Sequence, residues 1–140
     1  MKATICKTYS FSAAHLLPNH DGKCARLHGH NYKVGVQVHG KVKGLTGESD
    51  EGMVMDFAEM DEKVKPLIDE MDHYYIACGD EDDPIPAAHT TTISVRTTAE
   101  NIAGELLKRL VEFWPRKLYW VAVRVWETDK AWAEVTTEDL

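Results

Sequence analysis

The sequence has few cysteines and no long apolar run. Its three cysteines, Cys6, Cys24 and Cys78, form no Cys-x-x-Cys pair, and a chain of 140 residues can bury an adequate core without cross-links. No apolar segment approaches the roughly 18 residues of a membrane span, and residues 1–12 alternate where a signal peptide would be continuously apolar. We therefore expect a cytoplasmic protein with no disulfide framework and no membrane contact.

Basic residues are also scarce. Sixteen Lys and Arg residues face 23 Asp and Glu residues, which gives a net charge of −7. Such a chain offers no extended basic surface to a nucleic-acid backbone, so nucleic acid is not an expected partner. A small anionic molecule needs only a few local cations and stays compatible with this charge. The length predicts a single domain that spans residues 1–140.

Alternating hydrophobicity predicts the strands of an α+β fold. Apolar and polar residues alternate along 3–11, 31–43 and 117–127, and a short strand is expected near 131–135. This pattern predicts an antiparallel four-stranded sheet with one solvated face. The short apolar run 53–55 could add a further strand.

Two segments carry helical periodicity. Asp56 and Thr98 have the positions of N-terminal caps, Pro66 is expected to kink the first helix, and Pro115 is expected to end the second. The apolar stripe of the first helix comprises Phe57, Met60, Val64, Leu67, Ile68 and Met71. That of the second comprises Ile102, Leu106, Leu107, Leu110, Val111 and Trp114. Both helices are expected on one face of the sheet.

Residues 77–95, between the helices, lose the periodic pattern and predict a long loop or lid, which could include a short strand. The acidic run 80–83 within it is expected to be a solvated surface. A small sheet of this kind leaves an open face and two edges, which assembly into a homo-oligomer would cover.

Two histidines, His28 and His30, precede the clearest strand and are separated by one residue. On an extended strand both rings point to the same side, a spacing at which two imidazoles can bind one metal ion. His15 ends the first strand and reaches the same end of the sheet if the two strands form a hairpin. Three imidazoles leave an open coordination position, as in catalytic sites. An ordinary surface or core His pair is the alternative.

Cys24 lies four residues before His28, and this spacing leaves three roles open for it. It is the fourth ligand of a closed structural zinc site, a reactive thiolate beside an open site, or an inert small hydrophobic residue. Lys23 and Arg26, together with a nearby divalent cation, would favour the thiolate form.

Other candidate residues lie at the ends of predicted elements. His73 follows the first helix, where it either satisfies free helix carbonyls or works with Asp72 as a general acid or base. Glu127 ends a predicted strand and points either into a pocket or to water. Thr98 and Glu100 also fit an ordinary helix start.

Together these segments resemble the family of 6-pyruvoyl-tetrahydropterin synthase and 6-carboxytetrahydropterin synthase. The resemblance covers nearly the whole chain. It rests on six motifs in the family's order: Phe11-Ser12-Ala13-Ala14-His15, residues 24–30, Gly52-Met53-Val54-Met55-Asp56-Phe57, Asp72-His73, Thr98-Ala99-Glu100-Asn101 and Trp126-Glu127-Thr128. The three residues between Cys24 and His28 resemble the bacterial 6-carboxytetrahydropterin synthase branch.

The resemblance implies a role for each candidate residue. The implied ligands of a Zn²⁺ ion are His15, His28 and His30. The implied catalytic residues are Cys24, as the proton-abstracting base, and Asp72 with His73, as a second proton-transfer group. The implied substrate-binding residues are Glu127, which would anchor the pterin ring, Thr98 and Glu100.

The resemblance also implies a fold and a reaction. The fold is the tunnelling fold, in which subunits join their sheets into a barrel and trimers stack into hexamers with active sites between chains. The reaction converts 7,8-dihydroneopterin triphosphate to 6-carboxytetrahydropterin, with release of acetaldehyde and triphosphate, in the queuosine and 7-deazapurine route. Lys7, Lys23 and Arg26 are candidates for the triphosphate by position alone.

Three alternatives remain at this point. A 6-pyruvoyl-tetrahydropterin synthase would eliminate triphosphate without cleaving the side chain, and product analysis separates it from the first reaction. A non-catalytic zinc module would use Cys24 as a fourth ligand, so that its loss would weaken zinc binding and unfold the protein. A hydrolase built on Cys24, His73 and Asp72 would be insensitive to chelators.

Overall fold

The computed structural model describes residues 1–79 and 89–140, which form a six-stranded sheet and two α-helices. The strands are β1 (Lys2–His15), β2 (His28–Lys41), β3 (Tyr75–Cys78), β4 (Thr90–Ile93), β5 (Trp120–Thr128) and β6 (Ala131–Thr136). The α-helices are α1 (Phe57–Asp69) and α2 (Ala99–Phe113), and a short 3-10 helix spans Lys23–Ala25. The predicted acidic surface at 80–83 lies outside the described residues.

The sheet confirms the α+β class but is larger than predicted. Its strand order is β4-β3-β1-β2-β5-β6, and β1, β2, β5 and β6 are the four antiparallel strands that the alternation predicts. Strands β3 and β4 add to the β1 edge in parallel orientation. The prediction of four strands, all antiparallel, is therefore wrong. Each added strand has only four residues, which is too short for a period of two to be recognised.

The apolar run 53–55 is not a strand. Val54 and Met55 are buried in the core, and the Met53 carbonyl accepts a hydrogen bond of 2.9 Å from the Lys43 backbone N–H. Two consecutive residues of the run enter the core while Met53 is exposed, so the run reflects a buried bend and not the alternation of a strand.

Both helices begin at the predicted caps. The Asp56 side chain accepts from the Ala58 N–H at 2.7 Å, and the Thr98 hydroxyl accepts from the Asn101 N–H at 3.4 Å. The helix α1 continues through Pro66 to Asp69. The predicted stripe is correct except for its first residue, since Phe57 is 49 % exposed. It is the first residue of the helix.

One core cluster fills the space between the helices and one face of the sheet. The alternating valines of β2 and β5 that point into it are fully buried: Val34, Val36, Val38, Val121, Val123 and Val125. None of the helices in the described residues is long and apolar enough to span a membrane. The β1–β2 hairpin positions the candidate site, because its register places His15 opposite His28.

Candidate metal centre and active site

The structure brings the three candidate ligands together at the open end of the β1–β2 hairpin. His15 pairs with His28, and Ala13 pairs with His30, so the three side chains share the core face of the sheet. Their ring centroids are 4.5, 5.1 and 4.9 Å apart. One ligand atom from each histidine lies within 4.8 Å of the others. This arrangement can bind one metal ion.

The histidines continue the core stripe of the two strands. Phe11 stacks on Tyr32 with ring centroids 4.7 Å apart, and the His30 ring meets the edge of Tyr32 at 5.4 Å. The period of two that buries the valines further along β2 therefore also directs these imidazoles inward. Packed aromatic rings fix one side of the cluster.

Backbone carbonyls fix the tautomers of two ligands. The His15 Nδ1 donates to the Thr97 carbonyl at 2.8 Å, and the His28 Nδ1 donates to the Arg26 carbonyl at 2.7 Å. Because a carbonyl oxygen only accepts, each Nδ1 carries the proton and each Nε2 retains its lone pair. This is the second-shell arrangement by which proteins orient metal-binding histidines.

Burial favours the neutral form of His15 and His30. It lowers the pKa of His15 to about 4, a shift that the Thr97 carbonyl opposes and that the charges of His28 and His30 increase. Burial also lowers the pKa of His30, against the raising effect of the Glu127 carboxylate. A neutral imidazole is the form that binds a metal ion, so the environment favours a cation over protons near neutral pH.

Cys24 is not one of the clustered ligand residues. It lies in the 3-10 helix, and its carbonyl accepts a 2.8 Å hydrogen bond from the Leu17 N–H. Its thiol is free, and among residues 1–79 and 89–140 the ligand cluster consists of three histidines without a cysteine. This geometry matches an open three-histidine site better than a closed site with sulfur as the fourth ligand.

Asp72 and His73 form a pair that does not belong to the histidine cluster. The Asp72 carboxylate accepts from the Ser12 backbone N–H at 2.9 Å and lies 3.0 Å from the His73 Nδ1. The Ser12 N–H is the main cause that lowers the pKa of Asp72. His73 has a φ of 64° and an 82 % exposed side chain. It lines a cavity of about 550 Å³ that also includes His30 and Ser12.

The three candidate substrate-binding residues line a second cavity. Thr98, Glu100 and Glu127 surround a space of about 260 Å³, together with Trp132. Burial is the main cause that lowers the pKa of His30 and raises the pKa of Tyr32; the Glu127 charge opposes the first shift and adds to the second, so this carboxylate acts on the histidine cluster. The lining residues of the two cavities do not overlap, and neither set includes Cys24.

Residues 4–138 match the family model described as 6-pyruvoyl tetrahydropterin synthase. The chain belongs to this family. It is 36 % identical over 139 residues to 6-carboxy-5,6,7,8-tetrahydropterin synthase of Haemophilus influenzae, an alignment that covers 93 % of this chain and 96 % of that one. It is 48 % identical over 73 residues to the protein of the same name from Synechocystis, covering 51 % of this chain and 56 % of that one.

The family fold is also found in a solved structure, that of 6-pyruvoyl tetrahydropterin synthase from Plasmodium vivax. The TM-score is 0.79 at 23 % identity, with 97 % of this chain and 98 % of that chain covered. The tunnelling-fold architecture implied by the sequence resemblance is therefore confirmed for the subunit. The family's sheet and helix arrangement places the histidine cluster at one end of the hairpin.

Of the three cations that are candidates for the triphosphate by position, Lys7 has a carboxylate partner within the chain. Lys7 donates to the Asp61 carboxylate of α1 at 2.7 Å, on the helix-covered face of the sheet. Lys23 begins the 3-10 helix, and its carbonyl accepts from the Arg26 N–H at 3.0 Å. Only Lys23 and Arg26 lie on the segment that carries Cys24.

Sequence reasoning missed two residues that contact the histidines. The Tyr32 hydroxyl lies 3.3 Å from the His15 Nε2, and the Thr97 carbonyl and hydroxyl both face the His15 Nδ1. Tyr32 follows His30 by two residues, so the strand period already placed it on the same face. Thr97 gives no such signal, because it meets His15 only through the tertiary fold.

Proposed function

We propose that this member of the family is a zinc-dependent 6-carboxytetrahydropterin synthase. It would convert 7,8-dihydroneopterin triphosphate to 6-carboxytetrahydropterin and release acetaldehyde and triphosphate. The relatives from Haemophilus influenzae and Synechocystis carry that name. The observation that carries the proposal is the cluster of His15, His28 and His30, which contains no sulfur ligand, while the Cys24 thiol is free.

The donor set fits zinc. Three neutral imidazoles leave one position open in a tetrahedral site, which is the arrangement of catalytic zinc centres. Two of the ligands have the Nδ1–H donated to a carbonyl, as a metal-binding histidine requires. When bound, the ion would polarise an oxygen of the substrate side chain and so acidify the adjacent carbon.

The remaining chemistry is assigned to side chains of this protein. Cys24, as thiolate, would remove the proton from the acidified carbon. Asp72 would hold the Nδ1 of His73, leaving the Nε2 of that ring to give or take a second proton; the 3.0 Å separation supports this role. Glu127 would accept hydrogen bonds from the N–H donors of the pterin edge, with Thr98 and Glu100 in the same cavity.

The setting proposed for this enzyme follows the same reasoning. We place it in the cytoplasm, as one domain, in the queuosine and 7-deazapurine route, and its three free cysteines suit a reducing compartment. We also propose a homo-trimer or hexamer with active sites between chains. The separate cavities of His73 and Glu127 support this, because a single chain does not line one cavity with all the candidate residues.

The decisive experiment combines metal analysis with product analysis. The purified protein is assayed for zinc by elemental mass spectrometry, and the metal-loaded protein is incubated with 7,8-dihydroneopterin triphosphate. Stoichiometric zinc together with 6-carboxytetrahydropterin and acetaldehyde supports the proposal. A pyruvoyl product without acetaldehyde identifies the alternative synthase, and unchanged substrate with zinc bound contradicts both.

A Cys24→Ala variant tests the role of the thiol. We expect it to retain stoichiometric zinc and to lose about 10²- to 10⁴-fold in turnover, the usual contribution of a general base. Cys6→Ala is the matched control, since Cys6 is exposed on the sheet face that points away from the helices. Loss of zinc and of folding in Cys24→Ala would show instead that the sulfur is a structural ligand.

A further inference from the structure

Thr97 is a fully buried threonine that faces the most buried histidine of the cluster. It lies between β4 and α2, and it is 0 % exposed while His15 is 1 % exposed. Two of its oxygens approach the His15 Nδ1, the backbone carbonyl at 2.8 Å and the hydroxyl at 3.2 Å. Its side chain therefore belongs to the surroundings of the ligand although it is 82 residues away in sequence.

The direction of the Thr97 hydroxyl proton follows from its other neighbour. The Oγ1 atom lies 3.5 Å from the Leu16 carbonyl, which can only accept. The hydroxyl thus donates to Leu16 and turns a lone pair toward His15. Since the Thr97 carbonyl is also an acceptor, the His15 Nδ1–H is shared between two acceptors of the same residue. Because the hydroxyl proton points to Leu16, neither oxygen of Thr97 can donate to the His15 Nδ1, so Thr97 does not stabilise the Nε2–H tautomer.

The segment that carries Thr97 is held by the start of α2. The Arg96 carbonyl accepts from the Thr98 N–H at 2.9 Å and from the Asn101 side-chain amide at 2.8 Å. Thr98 itself caps the helix. The backbone on both sides of Thr97 is therefore fixed, so the two acceptors form a preorganised cradle for the imidazole.

The second ligand with a fixed tautomer is held less completely. His28 is partly exposed and donates its Nδ1–H to the Arg26 carbonyl alone. Water can satisfy a partly exposed ring nitrogen, but the nearly inaccessible His15 depends on protein acceptors. His15 is consequently the ligand whose orientation is most sensitive to its second-shell partner.

We propose that Thr97 is the positioning residue of the metal centre. Its hydroxyl and carbonyl together hold His15 in the Nδ1–H tautomer and aim its Nε2 at the ion. This inference rests on the proposed metal-dependent function, because it assigns the hydroxyl a role in binding the metal. The carbonyl is present whatever the residue, so the side chain supplies the part that mutation can remove.

The test compares three variants of the full-length protein. Thr97→Val removes the hydroxyl while keeping the branched shape, and Thr97→Ser retains the hydroxyl. Thr137→Val removes another buried hydroxyl, which accepts from the Val121 N–H at 3.4 Å. Val121 lies at the start of β5, whereas Glu127 lies at its end. Zinc affinity is measured by competition with a chromogenic chelator, and the His15 tautomer is read from ¹⁵N–¹H NMR of the metal-free protein.

We expect Thr97→Val to lower zinc affinity about tenfold, at the lower end of the effects of second-shell substitutions because the carbonyl remains. The same variant should show a fraction of the Nε2–H tautomer at His15. Thr97→Ser should restore both readouts, and Thr137→Val should change neither. Unchanged affinity and tautomer in Thr97→Val, or an equal loss in Thr137→Val, would overturn the proposal.

The outcomes also separate this inference from the proposed function. If the wild-type protein binds no stoichiometric zinc, the metal-dependent function fails and the metal part of this inference fails with it. If the wild type binds zinc and Thr97→Val matches it in affinity and tautomer, only the role of Thr97 is rejected.

Discussion

Glu127 occupies the place on β5 where the buried face of the strand ends and a cavity begins. Its charge opposes the burial that lowers the pKa of His30 and adds to the burial that raises the pKa of Tyr32, so it acts on the histidine cluster as well as on the cavity. A carboxylate in this position accepts hydrogen bonds and donates none, which suits the N–H donors along one edge of a pterin. Its charge, rather than its size, is the property to test.

A Glu127→Gln variant keeps the size of the side chain and removes the charge. Hydrogen bonds to a charged group contribute about 1.5–3 kcal/mol, so we expect kcat/KM to fall roughly 10- to 100-fold with zinc content unchanged. Steady-state kinetics and metal analysis check this. Glu134→Gln is the control, because Glu134 pairs with Arg124 on the other face of the sheet. Equal losses in both variants would argue against substrate binding by Glu127.

The residues of the candidate site differ in how far the sequence could identify them. The spacing of His28 and His30 fixes their common side once a strand is assumed, and the hairpin adds His15. Thr97 reaches the same cluster through a contact between distant segments, for which a single sequence carries no periodic signal. The metal ligands could therefore be predicted from strand spacing, whereas the residue that contacts His15 from a distant segment could not.

At the scale of elements, helix α1 is attached to β1 by a polar contact as well as by the core. The Asp61 carboxylate accepts from the Lys7 ammonium at 2.7 Å and from the Tyr9 hydroxyl at 3.0 Å, and Lys65 lies 3.2 Å away. These partners, Lys7 foremost, lower the pKa of Asp61 to about 2. The contact fixes the helix relative to the strand that ends in His15.

This contact predicts a specific loss of stability in acid. The folded-state pKa of Asp61 lies below the ordinary value of about 3.9, so its contribution is complete above that value and lost as the pH falls from about 4 through 2. Asp61→Asn should be less stable at pH 7 and should decline less steeply across this window. Urea unfolding at a series of pH values measures both, with Glu62→Gln, on the exposed side of α1, as control. A decline as steep as that of the wild type would contradict the assignment.

The elements themselves were predictable where the pattern is long. Apolar and polar residues alternate over many positions of β2 and β5. The capping residues Asp56 and Thr98 mark the starts of α1 and α2. Strands β3 and β4 could not be found in this way, because each has only four residues. Their parallel pairings, β3 with β1 and β4 with β3, also join segments that are not adjacent in sequence. The further strand suggested by the apolar run 53–55 is absent, because consecutive residues of that run are buried without alternation.

At the scale of the whole molecule, residues 1–79 and 89–140 leave β4 and β6 as sheet edges and place no helix on one face of the sheet. On that face Arg124 packs 3.7 Å from the Trp132 ring and Lys33 lies 4.6 Å from the Trp126 ring. The cavities of His73 and of Glu127 are separate within one chain. Exposed edges and divided site residues both favour assembly of several copies.

Mixing two inactive variants tests whether active sites form between chains. Cys24→Ala and His73→Ala, each with its own affinity tag, are co-expressed, and assemblies that carry both tags are isolated. If Cys24 and His73 of one site come from different chains, about one third of the sites are intact in a mixed trimer and about one quarter in a mixed hexamer, and turnover should return to roughly that fraction of the wild type. Light scattering of the same samples gives the number of chains. Mixed assemblies that stay inactive would place both residues in the site of a single chain, since no site could then combine an intact thiol with an intact imidazole.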